Sequence, residues 1–250
     1  MNPATGPGPW RCAARGLLHL FLPPLCPLCR EYVPHPGQPF CMACGAGLIP
    51  LEEPWCPLCA VPFAGRGPSH PCPRCRRNPP PFALARAWGA YSGPLAEAVQ
   101  RFKYTGQLTL RGALEELAID AWWRHYAGHP FTAVVPVPSH PETLCRRGCD
   151  LAALLARAVA RSAGVPWRPR ALRKVARTPD LVTLDARSRR AAVAKAYAPA
   201  QALTGEVLLV DDVITTTATS RACAGACRAA GAAGVRVLAL ARTPAWAGKN

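Results

Sequence analysis

Apolar positions along the chain follow two rhythms. Over residues 108–126, Leu108, Leu110, Leu114, Leu117, Ile119 and Trp122 recur at an approximate helical period, and 95–103 reads as a shorter helix opened by Ser92-Gly93-Pro94. The other rhythm is the short apolar run, seen at Phe131 to Pro138 and Val207 to Val210, with Val235 to Leu240, broken only by Arg236, as a third strand and Phe82 to Tyr91 as a further strand candidate. Runs of that length, too short for a helix, predict buried strands. Between them, 150–162 is an Ala/Leu/Arg helix and a small-residue helix spans about 217–230. Strand and helix in alternation predict an α/β fold with a parallel sheet, where ligands bind beyond the carboxyl ends of the strands.

The first 80 residues keep neither rhythm and are punctuated by cysteine. Four Cys-x-x-Cys pairs occur at Cys26/Cys29, Cys41/Cys44, Cys56/Cys59 and Cys72/Cys75, and Cys-Pro-Leu-Cys recurs after thirty residues. Two residues between cysteines let both thiolates of a tight turn face one ion, and two such knuckles complete a closed tetrahedral zinc site. The repeat suggests Cys26/Cys29/Cys41/Cys44 as one site and Cys56/Cys59/Cys72/Cys75 as the other; a cross-braced pairing is the alternative, since spacing does not fix connectivity. Four thiolates per ion leave no vacant position, so both zincs are structural, and His35 and His70 are surface residues. Disulfides instead of zinc would need an oxidising compartment. Cys145/Cys149 and Cys223/Cys227 lack the knuckle spacing and read as small, partly buried residues. Arg76-Arg77-Asn78-Pro79-Pro80-Pro81 reads as a hinge, dividing the chain into 1–80, a short N-terminal helix with a double zinc ribbon, and 81–250.

Half of the 250 residues are apolar, enough for a sizeable core. No apolar run approaches the roughly 20 residues that cross a bilayer, so no membrane span is expected. Arg11 and Arg15 precede Leu17 to Leu22 in the manner of a signal peptide, but His19 interrupts the run and Pro23-Pro24 replaces a cleavage site. The expectation is a cytoplasmic protein. Net charge is +16, and 131–204 holds thirteen of the thirty Lys and Arg against four Asp and Glu. Such a concentration suits phosphates, on a small molecule or on a nucleic acid.

The most informative stretch is Val207 to Thr219. Asp211 and Asp212 leave a buried strand, and Thr215-Thr216-Thr217-Ala218-Thr219 then turns into a helix. Free N–H groups at a helix start bind phosphate, hydroxyls add donors, and the acids can accept from vicinal sugar hydroxyls or hold a divalent cation. This is the outline of a site for a phosphorylated ribose.

These residues resemble the ribose-phosphate fingerprint of type I phosphoribosyltransferases and, more narrowly, the ComF family of competence-associated proteins. The likeness runs through the cysteine pairs, Lys103-Tyr104-x-Gly106, Val135-Pro136-Val137-Pro138, Arg146-Arg147-Gly148, Leu172-x5-Thr178-Pro179, Leu184-x2-Arg187-x2-Arg190 and Asp211-Asp212. It implies a type I phosphoribosyltransferase-like domain behind the double zinc ribbon. Asp211 and Asp212 would contact the ribose of 5-phosphoribosyl 1-diphosphate, with magnesium nearby, and Thr215, Thr216, Thr217, Ala218 and Thr219 would cradle its 5′-phosphate. Arg146 and Arg147 would face the diphosphate, and segment 173–190, with Arg187 and Arg190, would close over it. Asp211, Asp212, Lys103 and Arg147 are the catalytic candidates. The chain departs from the family pattern at Thr217, where Gly is usual, at Cys149-Asp150 for Phe-Asn, at Asp180 for Gln and at Ala192 for Asn.

The resemblance implies a ComF-like role in uptake and handling of single-stranded DNA during natural transformation, beside DNA-uptake or recombination proteins. Trp55, Trp88, Tyr91, Trp122 and Trp123 are candidate stacking platforms. The alternatives are an active phosphoribosyltransferase that joins phosphoribose to a nitrogenous base, or a phosphoribose-sensing regulator. No Gly-x4-Gly-Lys-Ser/Thr motif occurs, so an ATP-driven motor is not expected.

Overall fold

A computed structural model describes residues 23–33, 38–175 and 196–244. The expected N-terminal helix, His35, Arg187, Arg190, Asp180, Ala192 and most of the segment 173–190 lie outside the described residues.

In chain order the elements are α1 (Met42–Ala46), α2 (Pro73–Arg77), β1 (Ala85–Ala90), α3 (Gly93–Gln100), a π-helical turn (Arg101–Thr105), a 3-10 turn (Leu108–Leu110) and α4 (Arg111–Tyr126). There follow β2 (Phe131–Pro136), α5 (Pro141–Arg147), α6 (Leu151–Ala163), β3 (Leu172–Lys174), β4 (Tyr197–Pro199), β5 (Glu206–Ile214), α7 (Ala218–Ala229) and β6 (Gly234–Arg242). The parallel sheet has the order β1-β6-β5-β2, and β3 pairs antiparallel with β4 as a separate hairpin.

Both sheet faces are covered, which is why the central strands read as apolar runs. Leu208, Val210, Leu238 and Leu240 pack on one side with Leu95, Leu114 and Leu155 of α3, α4 and α6. On the other side Val207, Leu209, Val235 and Val237 pack with Cys223 and Cys227 of α7 and Leu172 and Tyr197 of the hairpin. Cys223 and Cys227 are thus buried core residues, as expected, while Cys145 is exposed. The sheet edges are covered too, which removes free pairing surfaces. Residues 49–51 lie antiparallel along β1, where Leu51 N donates to Trp88 O at 3.0 Å and Ala90 N to Ile49 O at 2.9 Å. Only glycine fits the crossing, since a Cβ on Gly89 would stand 2.6 Å from the Ile49 carbonyl oxygen. Residues 166–168 cover β2 through bonds to Val134.

The cysteine repeat is a repeat of structure. Leu25 bridges Tyr32 as Trp55 bridges Pro62. Arg30 N donates to Cys26 O at 2.9 Å, and thirty residues on Ala60 N donates to Cys56 O at 2.8 Å, both residues being left-handed with φ of 66° and 54°. One helix the sequence did not predict is α5. The apolar run ends at Pro138 and gives no helical signal there, but Pro141 sits in the first turn, where proline's missing N–H costs nothing.

Candidate functional site

The acid pair does not follow β5 but lies inside it. Pro136, the last residue of β2, pairs with Val210, whereas β6 continues beside β5 with Ala239 opposite Asp211 and Arg242 opposite Ile214. The last four residues of β5 therefore have a neighbour strand on one flank only. Side chains alternate along a strand, so Asp211 follows Val207 and Leu209 toward α7, and Asp212 follows Leu208 and Val210 toward α4 and α6.

On that second side Asp212 Oδ2 meets Lys103 Nζ at 2.7 Å, with both side chains mostly buried. Lys103 stands in the π-helical turn that ends at the left-handed Gly106, a wide turn of the kind often found at functional sites. Asp211 is buried, and its Oδ1 accepts from the Asp212 N–H at 2.9 Å. Burial, and then the charge of Asp212, hold the Asp211 carboxyl well above the usual range, with Lys103 acting against them. Asp150 caps α6 by accepting from Ala153 N at 3.3 Å, and burial raises its carboxyl as well, with Asp212 contributing. Asp150 and Asp212 thus lie on one side of this corner with Lys103, while Asp211 faces the other. Among the described residues the three carboxyl groups do not converge on one metal position as the cysteine sets do, so a hard divalent cation here would need oxygens of a bound ligand as well.

Beyond Ile214 the chain turns through Thr215 and Thr216, both exposed, to Thr217, which is buried at 3% exposure with φ 62°. This is the left-handed conformation that glycine adopts freely, so threonine carries about 1–2 kcal/mol of strain there. Arg221 Nε offsets part of it by donating to Thr217 Oγ1 at 3.2 Å. Ala218, Thr219 and Ser220 form the first turn of α7, where N–H groups have no intrahelical acceptor. The Ser220 hydroxyl is buried without a hydrogen-bond partner among the described residues.

Arg147 lies with its guanidinium 4.9 Å over the ring of Tyr104, the neighbour of Lys103, and its buried Nε has no hydrogen-bond partner among the described residues. Arg146, one residue earlier, is exposed. The structure therefore joins Lys103 to Asp212, sets Arg147 beside that element, and runs Thr215 to Thr219 directly on from the acids.

The cysteines divide in sequence order, and the cross-braced pairing is excluded. Within each set of four, Cys26/Cys29/Cys41/Cys44 and Cys56/Cys59/Cys72/Cys75, the sulfur atoms lie within 4.8 Å of one another. Cys29 Sγ to Cys41 Sγ is 3.4 Å and Cys59 Sγ to Cys72 Sγ is 3.8 Å. A zinc tetrahedron with bonds of about 2.3 Å has edges of roughly 3.8 Å, so both sets fit the ion. His70 takes no part, as its ring stacks on Phe63 at 4.4 Å.

Of the aromatic candidates, Trp88 and Trp122 are core residues and offer no face to a base. Trp55 and Tyr91 are half-buried, while Trp123 is exposed. Spacing alone did not reveal that depth. A tryptophan the sequence reading passed over, Trp167, is 37% exposed and carries the Arg157 guanidinium 5.4 Å from its ring. Also unforeseen is Arg242, buried at 5% exposure. Its signal was an arginine closing an otherwise apolar run.

The comparisons agree with this architecture. Residues 17–76 match the family model described as a double zinc ribbon domain. DNA utilization protein YhgH of Salmonella typhi is 32% identical over 230 residues, covering 90% of this chain and 99% of its own length. The YhgH protein of Shigella flexneri is 28% identical over 229 residues, again 90% and 99% of the two chains. Competence protein F of Haemophilus influenzae is 28% identical over 242 residues, covering 93% and 97%. Similarity at this level along almost the whole of both chains, ribbons and sheet alike, places the protein in the ComF/YhgH family.

Proposed function

We propose that the chain binds 5-phosphoribosyl 1-diphosphate with magnesium at the end of β5 and acts in the uptake and handling of single-stranded DNA. The observation that carries the first part is the continuous path from Asp211-Asp212 through the left-handed Thr217 to the open first turn of α7. In this reading Ala218, Thr219 and Ser220 receive the 5′-phosphate with their backbone N–H groups, helped by the threonine hydroxyls. Asp211 and Asp212 accept from the ribose hydroxyls. Bound magnesium would neutralise the diphosphate oxygens. Arg147 Nε, a buried donor without a partner among the described residues, faces the same charge. Lys103 holds the Asp212 carboxyl in place through their 2.7 Å contact.

The DNA-handling part follows from the names of the relatives, a DNA utilization protein and a competence protein, and from one surface. Residues 151–175 contain six Lys and Arg and no acid. Arg157, Arg161, Arg168, Arg170 and Arg173 are exposed, Arg157 lies 5.4 Å from the Trp167 ring and Arg168 follows it in sequence. Cations flanking an open aromatic face suit single-stranded nucleic acid, whose phosphates and bases need one of each. Phosphoribosyl transfer to a base is the alternative for the same site. It requires diphosphate release in the presence of a base, whereas the favoured reading requires binding alone.

The test is salt-titrated binding of an oligonucleotide to wild type and to Trp167→Ala and Arg168→Glu/Arg170→Glu. The reading expects affinity to fall steeply with salt, by about 10-fold in Trp167→Ala and by more in the charge reversal. No binding at low salt, or binding indifferent to both variants, would overturn it.

A further inference from the structure

The turn 214–217 is gripped from one side by arginines, and all three grips lead to the second zinc ribbon. Arg242 Nε donates to the carbonyl of Cys59 at 3.0 Å, while its Nη1 donates to the carbonyls of Ile214 at 3.0 Å, Thr215 at 2.5 Å and Thr243 at 2.9 Å. Arg74, inside the Cys72–Cys75 knuckle, donates to the Thr216 carbonyl. Arg221 links Thr217 Oγ1 to the carbonyls of Asn78 at 2.6 Å and Pro79 at 3.0 Å, just past that knuckle.

Holding these carbonyls has a directional consequence. In a trans peptide the C=O and the following N–H point opposite ways. Carbonyls of 214, 215 and 216 drawn toward the ribbon therefore turn the N–H groups of 215, 216 and 217 away from it, to the side where an anion would sit.

Charge ties the grip to the metal. Arg242 makes no ion pair with a carboxylate among the described residues, and a buried guanidinium without a counter-charge is costly. The nearby groups that carry negative charge when a metal binds are the sulfurs of the second cluster, Cys59 and Cys72, and Arg74 is the nearby cation. Four thiolates around one divalent zinc leave a net charge of minus two, so the loaded ribbon supplies the missing counter-charge. Among the described residues no hydrogen bond joins the first ribbon to the turn. Its side-chain hydrogen bonds to the sheet domain are Arg101 Nη1 to Leu28 O at 2.8 Å and Gln107 Nε2 to Pro27 O at 2.5 Å, on either side of Lys103.

We propose that metal occupancy of the second ribbon sets the conformation of the 214–217 turn, with Arg242 as the principal positioning residue and Arg74 and Arg221 as its supports. Its effect on ligand affinity rests on reading that turn as the phosphate site; the mechanical link does not.

The test is amide hydrogen exchange on the full-length zinc-loaded chain without ligand, with zinc content measured on each variant. Cys72→Ser/Cys75→Ser should lose one zinc equivalent and speed exchange across 213–220 at least 10-fold, with 131–137 unchanged. Arg242→Met should keep both zincs and give the same local acceleration, and Arg242→Lys should fall between Met and wild type. Cys26→Ser/Cys29→Ser should lose one zinc and loosen 101–107 instead. If Arg242→Met leaves 213–220 at wild-type exchange, or if emptying either ribbon loosens that segment equally, the proposal is wrong. A chain that fails to bind the phosphoribosyl donor but shows these exchange changes would remove the proposed function and leave the link standing.

Discussion

The two zinc ribbons are one design placed twice, thirty residues apart, with corresponding bridges and a left-handed residue, Arg30 or Ala60, after the first knuckle of each. Their surroundings differ. In the first, Cys29 is exposed and Cys44 half-buried, whereas all four cysteines of the second are buried. The first ribbon shares its apolar contacts with the large core beside α3, through Cys26, Leu28, Val33 and Phe40. The second makes a small core of its own with Val61 and is joined to the sheet by buried polar groups, above all Arg242. The shared Cys-Pro-Leu-Cys thus forms the same first knuckle in both ribbons. What each knuckle supports is decided by the residues that meet its carbonyls, Arg101 and Gln107 on one side, Arg86 and Arg242 on the other.

Removing the metal tests this contrast most harshly. Cys56→Ser/Cys59→Ser should destabilise the chain more than Cys26→Ser/Cys29→Ser by about 3 kcal/mol or more in denaturant unfolding, because binding free energy of a structural zinc is folding free energy and the second site is the more enclosed. Equal losses would erase the distinction. Next in size, Arg242→Ala should cost about 3–5 kcal/mol, since it strands several buried carbonyls beside a charged cluster. Arg101→Ala, whose side chain is 40% exposed, should cost about 1 kcal/mol.

A pH series sharpens the account at the site itself. The Asp211 carboxyl is raised in the folded chain, so between its unfolded and folded values the native state holds the extra proton and stability falls as pH rises. Asp211→Asn keeps an oxygen acceptor for the Asp212 N–H and removes that loss. Its stability relative to wild type, measured without magnesium, should therefore climb from pH 5 to pH 7 by at most about 1.4 kcal/mol per unit. A flat difference would contradict the burial of Asp211. Smallest of all, Thr217→Ala keeps the left-handed strain and loses only the bond from Arg221, a cost of about 1 kcal/mol by thermal or chemical unfolding.

Local chemistry was legible in the sequence, and encounters between distant segments were not. The knuckles follow from a two-residue spacing, and Ser92, Asp150 and Pro94 marked helix starts that the structure has. Sequential metal pairing was not decided by spacing, because the thirty-residue repeat allows either arrangement until the chain is folded. Asp211 and Asp212 read as one pair at a strand end, yet β5 runs on past them along β6 and alternation parts them to opposite faces. Lys103 meets Asp212 across more than a hundred residues, which no periodicity announces. Trp88 and Trp122 read like exposed platforms because burial is a property of the packed layers. Arg242 went unnoticed because an arginine at a strand end is usually solvated, and its partners come from Cys59 and Ile214.

The central claim is that the corner built from Asp211, Asp212, Lys103 and the Thr215–Thr219 turn binds a phosphoribosyl diphosphate. Calorimetric titration of zinc-loaded protein with 5-phosphoribosyl 1-diphosphate and magnesium should give saturable binding at one site per chain, weakened at least 10-fold by Asp212→Asn. An absence of binding heat, or binding that Asp212→Asn leaves intact, would contradict it.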